Sequence, residues 1–146
     1  KGKIYGKLYN WYAVNDPRGL APRGWHIPTW VELHALVNTL GGEFDGPAEG
    51  WIIAAGKMKA TGTLEAGTGL WYAPNAGATN SSGFTALPGG FAGHGFSSIG
   101  EVGLWWTSGG SLENGDRFLL NYYEDRIYFS YFEKYFGCSV RLVKDH

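Results

Sequence analysis

The residues able to do chemistry in this chain are few, and their spacing rarely brings them together. His26 and His34 lie eight positions apart with no Cys or carboxylate at ligand-like spacing, so both are expected in structural or surface roles. His94, held between Gly93 and Gly95, is placed where a loop imidazole can touch a ligand. The acidic group Glu113, Asp116, Glu124, Asp125 and Glu133 has the composition for calcium binding or for a glycosidase pair, yet carboxylates at hairpin turns are most often simply solvated. Cys138 would be a nucleophile only with a base or cation to hold its thiolate, and in a hydrophobic closing strand it is expected to be a small buried apolar residue. No Walker sequence, dinucleotide fingerprint, His-Glu-x-x-His pair or Gly-x-Ser-x-Gly elbow occurs. No catalytic residue, cofactor or metal ligand is therefore assigned, and the chain reads as a non-enzymatic protein.

What stands out instead is a density of aromatic side chains. Eleven of the 24 aromatic residues lie between Trp105 and Phe136. They alternate with polar and acidic residues in Asn121-Tyr-Tyr-Glu-Asp-Arg126 and Phe129-Ser-Tyr-Phe-Glu-Lys-Tyr135. Rigid rings flanked by adaptable polar groups give large contact area at low entropic cost, which suits a binding surface. The expected ligand-binding residues are Asn121, Tyr122, Tyr123, Glu124, Asp125, Phe129, Ser130, Tyr131, Glu133 and Tyr135. Because successive strand residues point to opposite faces, about half of these belong to the core.

The elements that must position them follow from local patterns. Part of Ile4–Val14, rich in aromatic and branched residues and ended by Asn15-Asp-Pro-Arg-Gly19, reads as an N-terminal strand. Thr29 and Glu32 form a capping box opening a helix that carries Trp30, Leu33, Leu36, Val37 and Leu40 on one face and stops at Gly41-Gly42. A second helix is expected over about Ala48 to Ala60, weakened by Gly50 and Gly56. From Thr61 to Ser98 the chain is aperiodic and rich in small residues, a length that inside a compact domain is either functional or held down by packed anchors such as Trp71, Tyr72, Phe84 and Phe91. Short strands then follow at Leu104–Ser108, Arg117–Tyr123, Arg126–Phe132 and Cys138–Val143, an antiparallel meander closed by Glu124-Asp125. Helices first and strands afterwards give an α+β class, with two helices packed on a small antiparallel sheet, long Gly-rich loops and a C-terminal meander.

Composition bounds the rest. With 146 residues, 44% hydrophobic and 17% charged, the chain fits one domain, residues 1–146, able to bury roughly 68–70% of its unfolded surface. A net charge of -1 gives no electrostatic reason to expect nucleic acid or an anionic membrane. No apolar run approaches the roughly 20 residues that span a bilayer, and no signal-peptide pattern is read. One cysteine cannot form an internal disulfide. The sequence opens on Lys1 rather than Met, so it is expected to be a piece of a longer surface protein.

Six blocks carry a resemblance. Tyr5-Gly-Lys-Leu-Tyr-Asn-Trp-Tyr-Ala-Val14, Leu20-Ala-Pro-Arg-Gly-Trp-His-Ile-Pro-Thr29, Gly56-Lys-Met-Lys-Ala-Thr-Gly62, Ala78-Thr-Asn-Ser-Ser-Gly-Phe-Thr-Ala-Leu-Pro-Gly-Gly90, Trp105-Trp-Thr-Ser108 and Ser139-Val-Arg-Leu-Val-Lys-Asp145 are similar, in order, to the Fibrobacter succinogenes major paralogous domain. That family resembles a branch of the C-type-lectin fold, related to formylglycine-generating, sulfatase-modifying domains and to variable proteins diversified by retroelements. The resemblance implies a mixed domain whose termini meet in one sheet, an exposed diversified face near the C-terminus, and a bacterial secreted, cell-surface or phage setting. Small polar residues are usual in the family near Tyr123, Asp125, Phe129, Tyr131, Glu133 and Tyr135, which is what a diversified binding face would produce. Two departures limit the carry-over. Gly137-Cys-Ser-Val-Arg-Leu-Val143 has Cys and Leu where the family has Phe and Cys, and the cysteine pair of the sulfatase-modifying enzymes is absent. The Glu-Pro-Asn or Gln-Pro-Asp loop and the Trp-Asn-Asp strand of calcium-dependent lectins are missing as well, so calcium-bridged sugar binding does not follow.

The chain is accordingly expected to be a monomeric ligand-binding module for a protein or a cell-surface glycan, with no nucleic-acid partner and no membrane insertion. The competing readings are a structural or adhesive domain of a surface or phage protein and, behind it, a sulfatase-modifying-like enzyme. Sequencing sibling alleles checks the diversified face: substitutions are expected to concentrate at Tyr123, Asp125, Phe129, Tyr131, Glu133 and Tyr135, and uniform residues there contradict it.

Overall fold

A computed structural model of the chain describes residues 2–46 and 49–146. The Thr29–Glu32 capping box forms as its residue types require. The Thr29 hydroxyl accepts from the Glu32 amide at 3.2 Å, the Glu32 carboxylate accepts from the Thr29 amide at 2.8 Å, and helix α3 (Trp30–Thr39) follows, burying Leu33 and Val37. Leu40 caps it and Gly41, at φ 76, turns the chain away.

The N-terminal segment does not become a strand. It forms two single-turn helices, α1 (Gly2–Tyr5) and α2 (Trp11–Val14), the second capped by the Asn10 side chain accepting from Ala13 at 3.0 Å. Tyr9 alone makes a bridge, to Cys138. Ring and branched content made the segment look extended, but the Asn10 cap and the burial of Trp11 and Val14 favour a turn of helix. The second expected helix is also shorter. Gly50–Ile52 is strand β3, antiparallel to β2 (Glu43–Asp45), and only Ala54–Met58 forms helix α4, while Ala48 lies outside the described residues.

The meander forms as an antiparallel run of β6 (Val102–Gly110), β7 (Asn114–Asn121) and β8 (Arg126–Glu133), extended by the β2–β3 hairpin into one five-stranded sheet ordered β2-β3-β8-β7-β6. Its connection is longer than expected, because Tyr122 and Tyr123 leave β7 and join Glu124 and Asp125 in the turn. The expected closing strand over Cys138–Val143 reduces to bridges from Cys138 to Tyr9 and from Ser139 to Trp105, then β9 (Val143–Lys144) paired with β1 (Trp25–His26). Early and late parts of the chain thus pair outside the main sheet. His26 reinforces that pairing, its Nδ1 2.6 Å from Asp145 and its Nε2 2.7 Å from Glu32, and these two hydrogen bonds raise its pKa. The architecture is α+β with an antiparallel sheet and few, short helices.

Each face of the sheet carries a core. One holds Trp105, Phe118, Leu120 and Ile127 against Leu33, Val37, Ala54, Ala55, Met58 and Trp71 of the helices and long loop. The other holds Leu104 and Trp106 against Trp11, Val14, Ile27 and Cys138. The segment from 61 to 98 is pinned as expected: Trp71 is fully buried and its Nε1 donates to Ala86 O at 3.0 Å. Two short strands, β4 (Phe91–Ala92) and β5 (Phe96–Ser97), pair inside it.

Lys59 locks these parts together. Its side chain is fully buried, and Nζ donates to the carbonyls of Asn121 and Glu124, both at 3.1 Å. Beside it Asp125 accepts from the Gly56 amide, and its carbonyl accepts from Ile53 at 3.2 Å, so the β7–β8 turn caps α4. Glycine is required at this junction, since a Cβ on Gly56 would sit 2.1 Å from Gly77 O. Burial lowers the Lys59 pKa to about 8 from 10.5. The unfolded chain therefore binds more protons than the folded one between those values, and stability gains as pH rises through that window. Relative to a Lys59→Met variant, the parent's unfolding free energy is expected to climb by on the order of 3 kcal/mol from pH 8 to 10.5 in denaturant titrations. A pH-independent difference contradicts this.

Candidate functional site

Helix α3 presents Trp30 and His34 at i and i+4, one above the other on its surface. Opposite them β3 and β8 present Trp51 and Phe129, because Trp51 pairs with Ile127 and Phe129 lies two residues further along the same strand face. The rings interlock. His34 stacks on Phe129 at 4.3 Å and on Trp30 at 5.4 Å, meets Trp51 edge-on at 4.7 Å, and Trp51 continues to its cross-strand partner Phe44 at 4.7 Å. Trp30 and Trp51 each lie 5.2 Å from Phe129. Aromatic pairs in these offset and edge-on arrangements contribute roughly 0.5–1.5 kcal/mol each beyond area burial, so the row is rigid.

The row reaches solvent. Phe44 is 59% exposed and Trp30 38%, and Tyr131, next on the Phe129 face of β8, is 69% exposed. His34 sits in the middle with its Nε2 buried and without a hydrogen-bond partner among the described residues. Burial lowers its pKa, so the imidazole is neutral at pH 7 and behaves as a fifth ring.

The expected site residues divide into three groups. Asn121, Glu124 and Asp125 are structural. Asn121 is buried and donates to Glu124 at 2.8 Å, and the Glu124 carboxylate also accepts from Tyr128 at 2.9 Å and Arg126 at 3.0 Å. Burial alone would raise the Glu124 carboxyl, but these three donors outweigh it and hold it below its ordinary value. Arg126 also pairs with Asp45, which ties the turn to β2. Tyr122 packs half-buried against Tyr72 at 6.1 Å, and the Ser130 hydroxyl is buried without a partner among the described residues. Phe129 belongs to the row, and Tyr131 follows it on the same face of β8. Tyr123, Glu133 and Tyr135 are exposed, with Tyr135 stacked on Phe136 at 4.4 Å and Phe136 on Phe132 at 4.1 Å, a cluster that continues to Phe91 in the second core. The expected surface is therefore not one patch.

Trp30, His34, Phe44 and Trp51 were not among the expected residues. The spacing of Trp30 and His34 was the available signal, but Trp30 had been placed on the core face and His34 in a structural or surface role. His94 is exposed near the tip of the β4–β5 hairpin. Among the described residues no three His, Cys, Asp or Glu gather as a metal site, and no helix is long and apolar enough to cross a membrane. Cys138 is fully buried, and burial pushes its thiol up to about 12 despite Arg117 nearby, which leaves no thiolate at neutral pH.

With this geometry established, the comparisons with known proteins are narrow. The family model described as the Fibrobacter succinogenes major domain matches residues 1–144. The chain belongs to this family. No curated protein and no solved structure matches it. For this Fibrobacter succinogenes major domain, then, the site rests on its own side chains.

The row makes a direct prediction. The His34 imidazole is expected to titrate below its ordinary 6.5 in an NMR pH titration, and Trp30→Ala, which opens one of its stacked faces to water, is expected to move the midpoint back up. An ordinary midpoint in the parent contradicts the buried row.

Proposed function

We propose that this domain is a non-enzymatic binding module on a C-type-lectin-type scaffold that presents the Trp30–His34–Phe129–Trp51–Phe44 row, with Tyr131, to a protein on a cell surface. The observation that carries this reading is the row itself: interlocked rings, fixed on a helix and three strands, that expose Trp30 and Phe44, with Tyr131 exposed beyond Phe129 on β8. Trp and Tyr anchors of this kind carry most of the energy at protein interfaces because they desolvate a large area with little rotamer entropy to lose. The aliphatic neighbours Val31 and Ile53 are exposed in the flanking sequence, which fits a protein hot spot better than a sugar platform. Pairing of Tyr9 with Cys138 and of Trp25 with Lys144, bringing early and late segments together, supports the lectin-type scaffold. An extracellular, cell-surface or phage setting and a monomeric state belong to the same proposal.

Binding of the labelled domain to intact bacterial cells tests it. Protease treatment of the cells is expected to abolish binding while periodate treatment leaves it, and Trp30→Ala is expected to weaken it about tenfold or more, the loss of one hot-spot residue. Unchanged binding by both Trp30→Ala and Tyr131→Ala rejects the site, and loss on periodate treatment alone assigns it to a glycan instead.

A further inference from the structure

None of the six sequence blocks that carry the family resemblance contributes to the aromatic row, yet four of them meet at one place. Tyr5, Lys7 and Tyr9 from the first, Phe84 to Leu87 from the fourth, Trp105 from the fifth and Ser139 to Arg141 from the last line a pocket of about 280 Å³. Two of these residues are cations, and none of the described residues lining it is acidic. In a chain of net charge -1, that is a local reversal of sign.

Arg141 is held in place. Its guanidinium lies 4.5 Å over the Phe84 ring, and one nitrogen donates to Phe84 O at 2.6 Å. A guanidinium has five N–H donors in a rigid fork, so the remaining edge is pre-oriented and has no carboxylate partner among the described residues. Lys7 forms no ion pair with any described residue. The hydroxyls of Tyr5, Tyr9 and Ser139 likewise have no hydrogen bond to a described residue. A positioned fork, a free ammonium and three unengaged hydroxyls around a small polar space form a donor set for an oxyanion.

We propose that this pocket binds a small oxyanion, a carboxylate or phosphate group carried by a small molecule, through Arg141 and Lys7. At about 280 Å³ it lies at the small end of ligand pockets, which run from about 300 Å³ upward, so the ligand is a compact metabolite-sized anion and not a polymer. The shared scaffold blocks then have a binding task of their own, separate from the row.

Backbone amide shift titrations of the whole domain with inorganic phosphate and with acetate test this. Saturable shifts confined to residues 5–9, 84–87 and 139–141 are expected with at least one probe, and the probe that saturates identifies the anion class. Arg141→Gln is expected to weaken binding about tenfold or more, the loss of a charge-assisted contact, and Lys7→Gln by roughly two- to fivefold. Arg141 also supports Phe84, so Lys7→Gln, which removes no internal contact, decides if the Arg141 variant fails to fold. Linear, non-saturating shifts with both probes overturn the proposal. So does saturable binding that Lys7→Gln leaves unchanged.

Discussion

The interaction on which the rest of this structure depends is the burial of the Lys59 ammonium beneath the β7–β8 turn. An ammonium removed from water is costly unless its donors are satisfied, and Lys59 gives two of them to the carbonyls of Asn121 and Glu124. That fixes the turn, and the turn in turn fixes helix α4 through Asp125 and strand β2 through Arg126 and Asp45. Polar groups that look like a recognition loop in the sequence are therefore consumed internally. A turn this heavily cross-bonded is poor material for ligand contact, because each donor or acceptor turned outward leaves a buried partner unsatisfied.

The surface that remains available lies where helix α3 crosses the sheet. The capping box sets where α3 begins, and its register places Trp30 and His34 one turn apart over Phe129. The β2–β3 hairpin, held by the Arg126 pairs, brings Trp51 and Phe44 to the same row. Trp30 shares the face of Leu33 and Val37, but it opens the helix at the edge of the packed region, so it stays 38% exposed while those two are buried. The proposed contact surface is thus ordered by the same packing that closes the core, which would reduce the entropy lost on binding a partner.

How much of this was legible depends on whether the signal was local. The capping box, the meander and the anchoring of the long loop by Trp71 could be read because cap chemistry, strand alternation and a buried tryptophan are properties of short stretches. The N-terminal strand failed because ring and branched residues at 4–14 resemble a strand, whereas the Asn10 cap and burial of Trp11 against β6 decide for a helical turn. The second helix was overextended because Gly50–Ile52 is claimed by pairing with β8, through contacts 74 and 76 residues away in sequence that no local window reports. For the site, Phe129 and Tyr131 were legible as strand aromatics. Trp30, His34, Phe44 and Trp51 were not, since Trp30 and His34 join Phe129 only through the crossing of α3 over the sheet, and Trp51 and Phe44 only through the pairing of β3 with β8.

The central claim is that contact is made by the preformed row and not by the clamped turn. Hydroxyl-radical footprinting of the domain, free and bound to target cells, measures this most directly. Protection on binding is predicted at Trp30, Phe44 and Tyr131, all exposed in the free domain, with the turn's Tyr123, also exposed, unchanged. Protection of Tyr123 with Trp30 and Phe44 left reactive would contradict it.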